Sequence, residues 1–261
     1  MPALPGLGVL VTRPELQATP LCRLLEAQGA NPIRLPAIEI RPFGTRDAIR
    51  ASVEPLDKFD LIIFLSANAV RYGAPLLDQR RDLNLAAVGP ATLRALNQAG
   101  YRVPIVPAER FDSEGLLAHP RLQNLTGQRV LTIRGSGGRE ILEQVLEQRG
   151  AAVTACAVYE RLRSDPGEAR LAELEQQLQD DVVHVIIATS LEIVESLLAM
   201  GSARPALLSA FSRPHWLVPS QRVAIGARAL GLAAPLLVAA SAEDQALVDA
   251  LARWRSSVSG A

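Results

Sequence analysis

The hydrophobic residues of this chain follow two alternating patterns. Apolar runs at residues 9–12, 61–65 and 182–188 are nearly continuous and rich in Val, Ile and Leu, as in parallel strands that are covered on both faces. Each run leads into a segment whose apolar residues recur at helical spacing, for example Leu21 and Leu25. Because the two patterns alternate along the whole chain, we predict the α/β class with doubly wound parallel sheets.

The pattern also repeats. The segment that begins at Val9 returns at Val130, and the two copies keep their register to a glycine in each. A second echo pairs the apolar runs that precede Ser66 and Ser190. A repeat of this length indicates a duplicated domain. Two like domains create a cleft between them, and small molecules bind in such clefts.

The order of the copies predicts that one domain is discontinuous. A third echo pairs Gly100 with Gly231. The first copy of the first echo begins the chain, whereas the second copies of the second and third echoes end it. We therefore predict one α/β domain from residues 1–36 plus 168–261, with a second α/β domain, residues 42–157, inserted into it. Residues 35–43 and 158–167 form a two-stranded connector, and both segments contain proline, as linkers often do. The alternative is two sequential domains divided near residue 125.

Composition and charge restrict the class of protein. The 261 residues are 49% hydrophobic and have a formal net charge of zero, so bulk electrostatics do not attract the chain to nucleic acid or to a membrane. The longest apolar stretch, residues 232–240, is too short to span a bilayer. The N-terminus lacks the pattern of a secretion signal. We therefore expect a cytoplasmic protein.

Residues that bind metals are few and scattered. The two cysteines, Cys22 and Cys156, do not have metal-ligand spacing, and the three histidines are far apart in the chain. A reducing compartment also requires no disulfide between the cysteines. We expect no metal site.

Two arginines occupy equivalent turns of the repeat. Arg13 and Arg134 each lie between a first strand and its helix, and open parallel sheets bind ligands beyond the carboxyl ends of their strands. A guanidinium group matches a carboxylate in shape, and the glycine-rich segment that contains Ser136 can expose backbone N–H groups to an anion. The alternative is a flexible turn with solvated arginines. The segment fails as a dinucleotide fingerprint, because Glu140 stands where a glycine belongs.

Hydroxyl groups mark the predicted helix starts. Ser66 and Ser190 follow apolar strands, and N-capping is sufficient to explain both. The same exposed helix ends can also bind a ligand. Thr92 follows another glycine turn, and Ser220 takes the place of that glycine in the second copy.

Tyr159 lies in the second connector, where its phenol can reach the cleft and donate a hydrogen bond. Core packing is the alternative. The sequence contains no evident Ser/His/Asp set, Cys/His pair or close pair of carboxylates. Any chemistry here therefore depends on positioning and hydrogen bonds rather than on a strong nucleophile.

Several of these segments together resemble the uroporphyrinogen-III synthase family. The resemblance covers nearly the whole chain and depends on the order and spacing of short motifs. They are VLVTRP at 9–14, LPAI at 35–38, FLSANAV at 64–70, VGPAT at 88–92, VYE at 158–160 and TS at 189–190. The resemblance implies two parallel-sheet domains joined by a two-stranded connector.

The resemblance also implies a reaction. A lyase of this family closes hydroxymethylbilane, a linear tetrapyrrole, to uroporphyrinogen III, with loss of water and inversion of ring D through a spiro intermediate. It needs no cofactor and acts as a monomer in haem biosynthesis. Tyr159 matches the family's recurrent cleft tyrosine and would assist departure of the hydroxyl group. Because the substrate carries many carboxylates, we predict that they are bound by Arg13, Ser66, Asn68, Thr92, Arg134, Ser136, Ser190 and Ser220.

Two other functions stay open. A two-domain protein without catalysis could close on a small anion, and it would bind its ligand tightly without turnover. A nucleotide-dependent enzyme would use the glycines of residues 135–138, and it would bind a nucleotide.

Overall fold

Strands and helices alternate along residues 2–78, 80, 82–137 and 141–259, which the computed structural model describes. The strands are β1 (Gly8–Val11), β2 (Asn31–Arg34), β3 (Ile38–Pro42), β4 (Leu61–Phe64), β5 (Leu85–Ala87), β6 (Arg129–Gly135), β7 (Ala152–Arg163), β8 (Val185–Ile187), β9 (His215–Val218) and β10 (Leu236–Val238). The helices are α1 (Glu15–Ala27), α2 (Arg46–Val53), α3 (Ala67–Gly73), α4 (Pro90–Gln98), α5 (Ser113–Leu117), α6 (Ile141–Gln148), α7 (Glu168–Gln179), α8 (Leu191–Ser202), α9 (Pro205–Ala210), α10 (Gln221–Ala229) and α11 (Asp244–Ser259). Within these ranges, no helix has the length and apolarity needed to cross a membrane.

The chain divides into two compact units. Unit 1 comprises Met1–Glu39 together with Leu162–Ala261, and unit 2 comprises Ile40–Arg161. Strands β3 and β7 each run across a boundary between the units. The chain therefore passes between the units along these two strands.

Unit 1 is built on a five-stranded sheet in the order β10-β9-β8-β1-β2. Every neighbouring pair in this sheet is parallel. The chain moves outward from β1 to β2 on one side and from β8 to β10 on the other. The boundary between β1 and β8 is therefore the switch point of this sheet, where open α/β sheets bind ligands beyond the carboxyl ends of their strands.

Unit 2 repeats this arrangement. Its sheet has the order β3-β7-β6-β4-β5, and the pairs from β7 to β5 are parallel. The switch point lies between β4 and β6, and β6 separates β4 from β7. At the β3 edge, the Phe43 N–H donates to the Val158 carbonyl at 3.1 Å.

The apolar runs are continuous because both faces of the sheet are covered. In β4, Ile62 and Phe64 belong to one core cluster of unit 2, whereas Leu61 and Ile63 belong to the other. Successive side chains of a strand point to opposite faces, so every position of such a strand must be apolar. The prediction of an α/β fold with parallel-sheet cores is confirmed.

Glycines end equivalent helices in the two units. Gly29 and Gly150 follow α1 and α6 with φ of +81° and +92°, and Gly100 and Gly231 follow α4 and α10 with φ of +81° and +88°. Glycine adopts this left-handed backbone without the steric cost that a Cβ imposes. The same device therefore ends the helix at all four positions.

Candidate functional site

The predicted site residues lie mainly where parallel strands end. In unit 2 they close or follow β4, β5 or β6, and they are Ser66, Asn68, Thr92, Arg134 and Ser136. In unit 1 they follow β1, β8 or β9, and they are Arg13, Ser190 and Ser220. Each set therefore lies at the carboxyl edge of its own sheet, as the sequence predicted for the turns.

Tyr159 lies on β7 and reaches the switch point of unit 2. Its phenol oxygen lies 3.1 Å from Oγ of Ser66, which follows β4. The Tyr159 ring also stacks on the ring of Tyr72 from α3, with centroids 6.1 Å apart and planes inclined by 24°. The side chain is only 5% exposed. The burial and the ring contact fit core packing, one of the two alternatives for Tyr159. Its donation to a ligand in the cleft stays a prediction.

Gly135 allows the phenol to cross the intervening strand. β6 lies between β4 and β7, and two strand spacings amount to about 10 Å. Gly135 pairs with Tyr159 at an irregularity in the β6–β7 register. A Cβ on Gly135 would lie 2.7 Å from Cζ of Tyr159, so only glycine leaves room for the ring here. The Ser136 N–H then donates to the Tyr159 carbonyl at 2.7 Å.

Serine hydroxyls cap the helices that begin at these edges. Ser66 accepts the N–H of Ala69 at 3.0 Å at the start of α3. Ser190 and Ser220 cap α8 and α10 in the same way, with distances of 3.3 Å and 3.4 Å to their donors. N-capping thus accounts for all three serines, and all three remain half-buried rather than enclosed.

Arg134 is held by an acidic residue that sequence reasoning missed. Nε of Arg134 lies 3.3 Å from Oε1 of Glu143 on α6, and Nη1 donates to the Gly137 carbonyl at 3.2 Å. Glu143 is 6% exposed, and its Oε1 also accepts the hydroxyl of Thr132 at 3.0 Å. Oε2 of Glu143 has no hydrogen-bond partner among the described residues. Arg134 therefore neutralises a buried carboxylate of its own unit.

Arg13 is held in the same way in unit 1. It forms an ion pair with Asp244 at the start of α11, and its Nη2 donates to the Ala242 carbonyl. Arg13 is 8% exposed. The adjacent Thr12 hydroxyl donates to the Ile187 carbonyl of β8 at 2.6 Å. These contacts fasten the turn after β1, and the substrate contact predicted for Arg13 competes with them.

The remaining predicted residues differ in accessibility. Thr92 is only 3% exposed in the first turn of α4, whereas Asn68 and Ser136 are half-buried. The anion cradle predicted around Ser136 also included Gly138 and Arg139, which lie outside the described residues. The cradle and the substrate contacts of these residues stay predictions.

The acidity of the thiols disfavours thiolate chemistry. Burial raises the pKa of Cys156, which lies on β7 in the core of unit 2. Burial is also the main cause that raises the pKa of Cys22. Both thiols are therefore protonated at neutral pH. Among the described residues, no three His, Cys, Asp or Glu side chains are grouped to hold a metal ion.

Tyr72 is the other residue of the candidate site, besides Glu143, that the sequence did not reveal. It lies on the helix that Ser66 caps, and its hydroxyl donates to the Ile40 carbonyl at 3.1 Å. The available signal was its place six residues beyond Ser66. That spacing indicates a contact with Tyr159 only when the packing of Tyr72 on α3 against Tyr159 on β7 is known.

Comparison with known sequences gives consistent results. The family model described as uroporphyrinogen-III synthase HemD matches residues 20–249. The chain is similar to the uroporphyrinogen-III synthase of Escherichia coli, with 32% identity over 94% of this chain and 100% of that protein. It is also similar to the uroporphyrinogen-III synthase of Salmonella typhimurium, with 32% identity over the same shares of the two chains.

Solved structures resemble the fold of this chain. The crystal structure of a mutant uroporphyrinogen III synthase from Thermus thermophilus has a TM-score of 0.60 and 22% identity, and the match covers 98% of this chain and 100% of that one. The uroporphyrinogen-III synthetase from Helicobacter pylori has a TM-score of 0.61 and 14% identity, covering 95% and 99%. At these identities the likeness concerns the fold alone.

Proposed function

The chain belongs to the uroporphyrinogen-III synthase family, and on that premise we propose how its own residues carry out the family's reaction. The reaction closes hydroxymethylbilane, a linear tetrapyrrole, to uroporphyrinogen III. It is a lyase reaction of haem biosynthesis and needs no cofactor. The protein must fold the substrate so that ring D is inverted during closure, which is selection by conformation rather than by a reactive nucleophile.

Tyr159 is the catalytic residue in this proposal. In the first step, the C–O bond of the hydroxymethyl group breaks. Its oxygen takes up a proton and leaves as water, while the pyrrole nitrogen gives up its hydrogen and its electron pair forms the azafulvene. A hydrogen bond from the Tyr159 phenol to the departing oxygen assists this step. The observation that carries the assignment is the position of the Tyr159 Oη, 3.1 Å from Ser66 Oγ at the switch point of unit 2.

The later steps need little acid or base from the protein. The substituted carbon of the far pyrrole attacks the azafulvene carbon; the azafulvene nitrogen regains a proton, and the attacking ring gives up its N–H proton to become the neutral spiro intermediate. That intermediate fragments to a second azafulvene on the neighbouring pyrrole, whose N–H proton passes to the nitrogen of ring D. The free carbon of the inverted ring D then attacks this azafulvene, and the proton that the carbon loses is balanced by the one that the azafulvene nitrogen takes up. The electron-rich pyrroles themselves support the charge that develops in each step. The contribution of the chain is to hold the two ends of the substrate together.

The substrate carboxylates are bound at the carboxyl edges of the two sheets. Half-buried Ser66, Asn68 and Ser136 serve this role in unit 2, and Ser190 and Ser220 serve it in unit 1. Arg13, Arg134 and Thr92 complete the set predicted from the sequence. The two arginines bind substrate only through the part of the guanidinium that their partners Asp244 and Glu143 leave available.

The protein acts on its substrate as a monomer in the cytoplasm. A formal net charge of zero supports a small-molecule partner over nucleic acid. Sedimentation at working concentration tests the monomer independently of activity.

Product analysis tests the proposal. Linear bilane made freshly by a deaminase is incubated with and without the protein, and oxidised products are separated into type I and type III porphyrins. We expect mostly type III. We further expect Tyr159→Phe to lower kcat about tenfold, the loss of one hydrogen bond in the transition state. Tyr101→Phe is the matched control, because Tyr101 is also buried in unit 2 but has no assigned role.

The other outcomes are equally informative. Unchanged kcat in Tyr159→Phe would remove Tyr159 from the mechanism. Only type I product from a correctly folded protein would mean that the chain does not catalyse closure. Tight binding of a small anion without turnover would then favour the non-catalytic two-domain binding protein.

A further inference from the structure

The Ser66 hydroxyl contacts the phenol of Tyr159 in addition to capping its helix. Its Oγ accepts the Ala69 N–H at 3.0 Å and lies 3.1 Å from the Tyr159 phenol oxygen. In unit 1, Ser190 caps the equivalent helix, yet Ile38 stands at the repeat position of Tyr159. Capping therefore does not require a tyrosine, and the contact in unit 2 is an addition to the cap.

The surroundings of Tyr159 restrict where its hydrogen can point. The ring is stacked on that of Tyr72, and it lies so close to Gly135 that a Cβ there would be 2.7 Å from Cζ of Tyr159. A phenol O–H lies in the plane of its ring because the oxygen lone pair is conjugated with it. With the ring held, the hydrogen has two orientations, one toward Ser66 and one away from it.

The hydrogen bond by which Ser66 caps the helix favours one of these two orientations of the phenol hydrogen. A hydroxyl that already accepts a hydrogen bond is polarised and donates a stronger one, because bonds in a chain reinforce one another. The Ala69 N–H occupies one lone pair of Ser66 Oγ. The two hydrogen bonds therefore run in one direction: the Ala69 N–H donates to Ser66 Oγ, and the Ser66 hydroxyl donates to the oxygen of Tyr159.

We propose that Ser66 is a positioning residue for Tyr159: its hydroxyl donates to the phenol oxygen, so that the phenol hydrogen points away from Ser66 and toward the bound substrate. This inference rests on the proposed function of Tyr159 as the donor to the departing hydroxyl. It assigns Ser66 an action through Tyr159, in addition to any contact of its own with a substrate carboxylate.

A double-mutant cycle tests this role. We expect Ser66→Ala to lower kcat about fivefold, with a smaller effect on KM, because it removes the donor that orients the phenol. In the Tyr159→Phe background the same substitution should change kcat less than twofold. Ser66→Thr keeps the hydroxyl and the cap, so it should restore kcat to within about twofold of the original chain.

Thr45→Ala is the matched control for the loss of a helix cap. Thr45 caps α2 in the same unit by accepting the Ala48 N–H at 3.2 Å, and it is exposed. Its removal should lower Tm about as much as Ser66→Ala but leave kcat unchanged. A similar fall in kcat for both variants would assign the effect of Ser66 to stability and overturn the proposal.

The cycle separates failure of this inference from failure of the proposed function. If Tyr159→Phe lowers kcat and Ser66→Ala lowers it further by the same factor, Ser66 acts independently of Tyr159 and only this inference fails. If the independent effect is confined to KM, Ser66 binds a carboxylate directly. Unchanged kcat in Tyr159→Phe would overturn both this inference and the catalytic role of Tyr159. Type III product from the original chain would still establish the family reaction.

Discussion

Arg13 and Asp244 form an ion pair although 231 residues of chain separate them. Arg13 is 8% exposed, and the Asp244 side chain is 27% exposed. The pair joins the turn after β1 to the start of α11, so the N-terminal segment of unit 1 is tied to its last helix. It also leaves less of the guanidinium available to a ligand than the sequence suggested.

Removal of this pair should destabilise the chain. Arg13→Ala leaves the Asp244 carboxylate and the Ala242 carbonyl without their donor. We expect a loss of about 2 kcal/mol in the free energy of unfolding, below the range for fully buried pairs because Asp244 is partly solvated. Urea unfolding measures it. Arg50→Ala, at the more exposed pair with Asp78, should lose less. An equal loss in both variants would contradict the importance of burial, and a raised KM with unchanged stability would instead support the predicted substrate contact.

Gly135 should tolerate no side chain. The Cβ of Gly135→Ala would lie 2.7 Å from Cζ of Tyr159, so the phenol must move away from Ser66. We expect kcat to fall about tenfold, with a destabilisation of about 1–3 kcal/mol from overpacking. Gly127→Ala is the control. The alanine would be strained at a φ of +77°, but its Cβ would have no other atom within 4 Å. This variant should lose about 1 kcal/mol of stability and no activity. Full activity of Gly135→Ala would show that the position of the phenol is unimportant.

Tyr72 should act through its ring rather than its hydroxyl. Tyr72→Phe removes only the hydrogen bond to the Ile40 carbonyl and keeps the stack on Tyr159. We expect its kcat to stay within about twofold of the original. Tyr72→Leu also removes the stack, which is worth about 0.5–1.5 kcal/mol, and should lower kcat severalfold because Tyr159 is then less well held. Steady-state kinetics decide this, and equal kcat values for the two variants would exclude a role for the stack.

Glu143 should be needed in its charged form. Glu143→Gln keeps an acceptor for the Thr132 hydroxyl but removes the charge that pairs with Arg134. We expect a loss of about 1–3 kcal/mol, because a guanidinium is left beside a neutral amide at a largely enclosed position. Glu147→Gln is the control, because Glu147 is exposed on the same helix, and the change should have little effect on stability. Calorimetric unfolding of both variants provides the comparison, and an unchanged or raised Tm in Glu143→Gln would refute the expectation.

His215 should make unit 1 sensitive to acid. Burial lowers the pKa of His215, whose ring lies 4.7 Å from that of Trp254. The folded chain therefore favours the neutral imidazole. Its contribution to stability is present above the unfolded pKa of about 6.5 and is lost as the pH falls from there through the folded pKa. Unfolding followed by tryptophan fluorescence between pH 7 and 5 should show a loss of stability. His215→Gln should flatten that dependence, and an unaltered slope would place the acid sensitivity elsewhere.

Much of the fold followed from local patterns. The apolar run at β4 predicted a strand covered on both faces, and its residues do divide between two core clusters. The repeat marked a glycine at equivalent positions, Gly29 and Gly150, and both end a helix with positive φ. Ser66 and Ser190 were recognised as caps for an equally local reason, since the cap bonds to an amide three residues ahead.

The candidate site could be predicted only in part. The repeat placed Arg13 and Arg134 at equivalent turns, and both do lie at carboxyl edges. Their acidic partners, Asp244 and Glu143, come from different helices of the two units and have no counterpart in the repeat. An ion pair depends on where a distant helix begins, and neither composition nor periodicity contains that information.

The class of fold, the duplication, the helix caps and the family resemblance can all be read from the amino-acid sequence, because each depends on residues that are near in the chain or on the order of motifs. The contact between Tyr159 and Ser66 cannot be read in this way. The two residues are 93 apart in sequence, and they meet because the strand order places β6 between β4 and β7 and because Gly135 on β6 leaves room for the ring. A hydrogen bond needs its atoms within about 3 Å, and only the order and register of the sheet place side chains from distant segments at that distance.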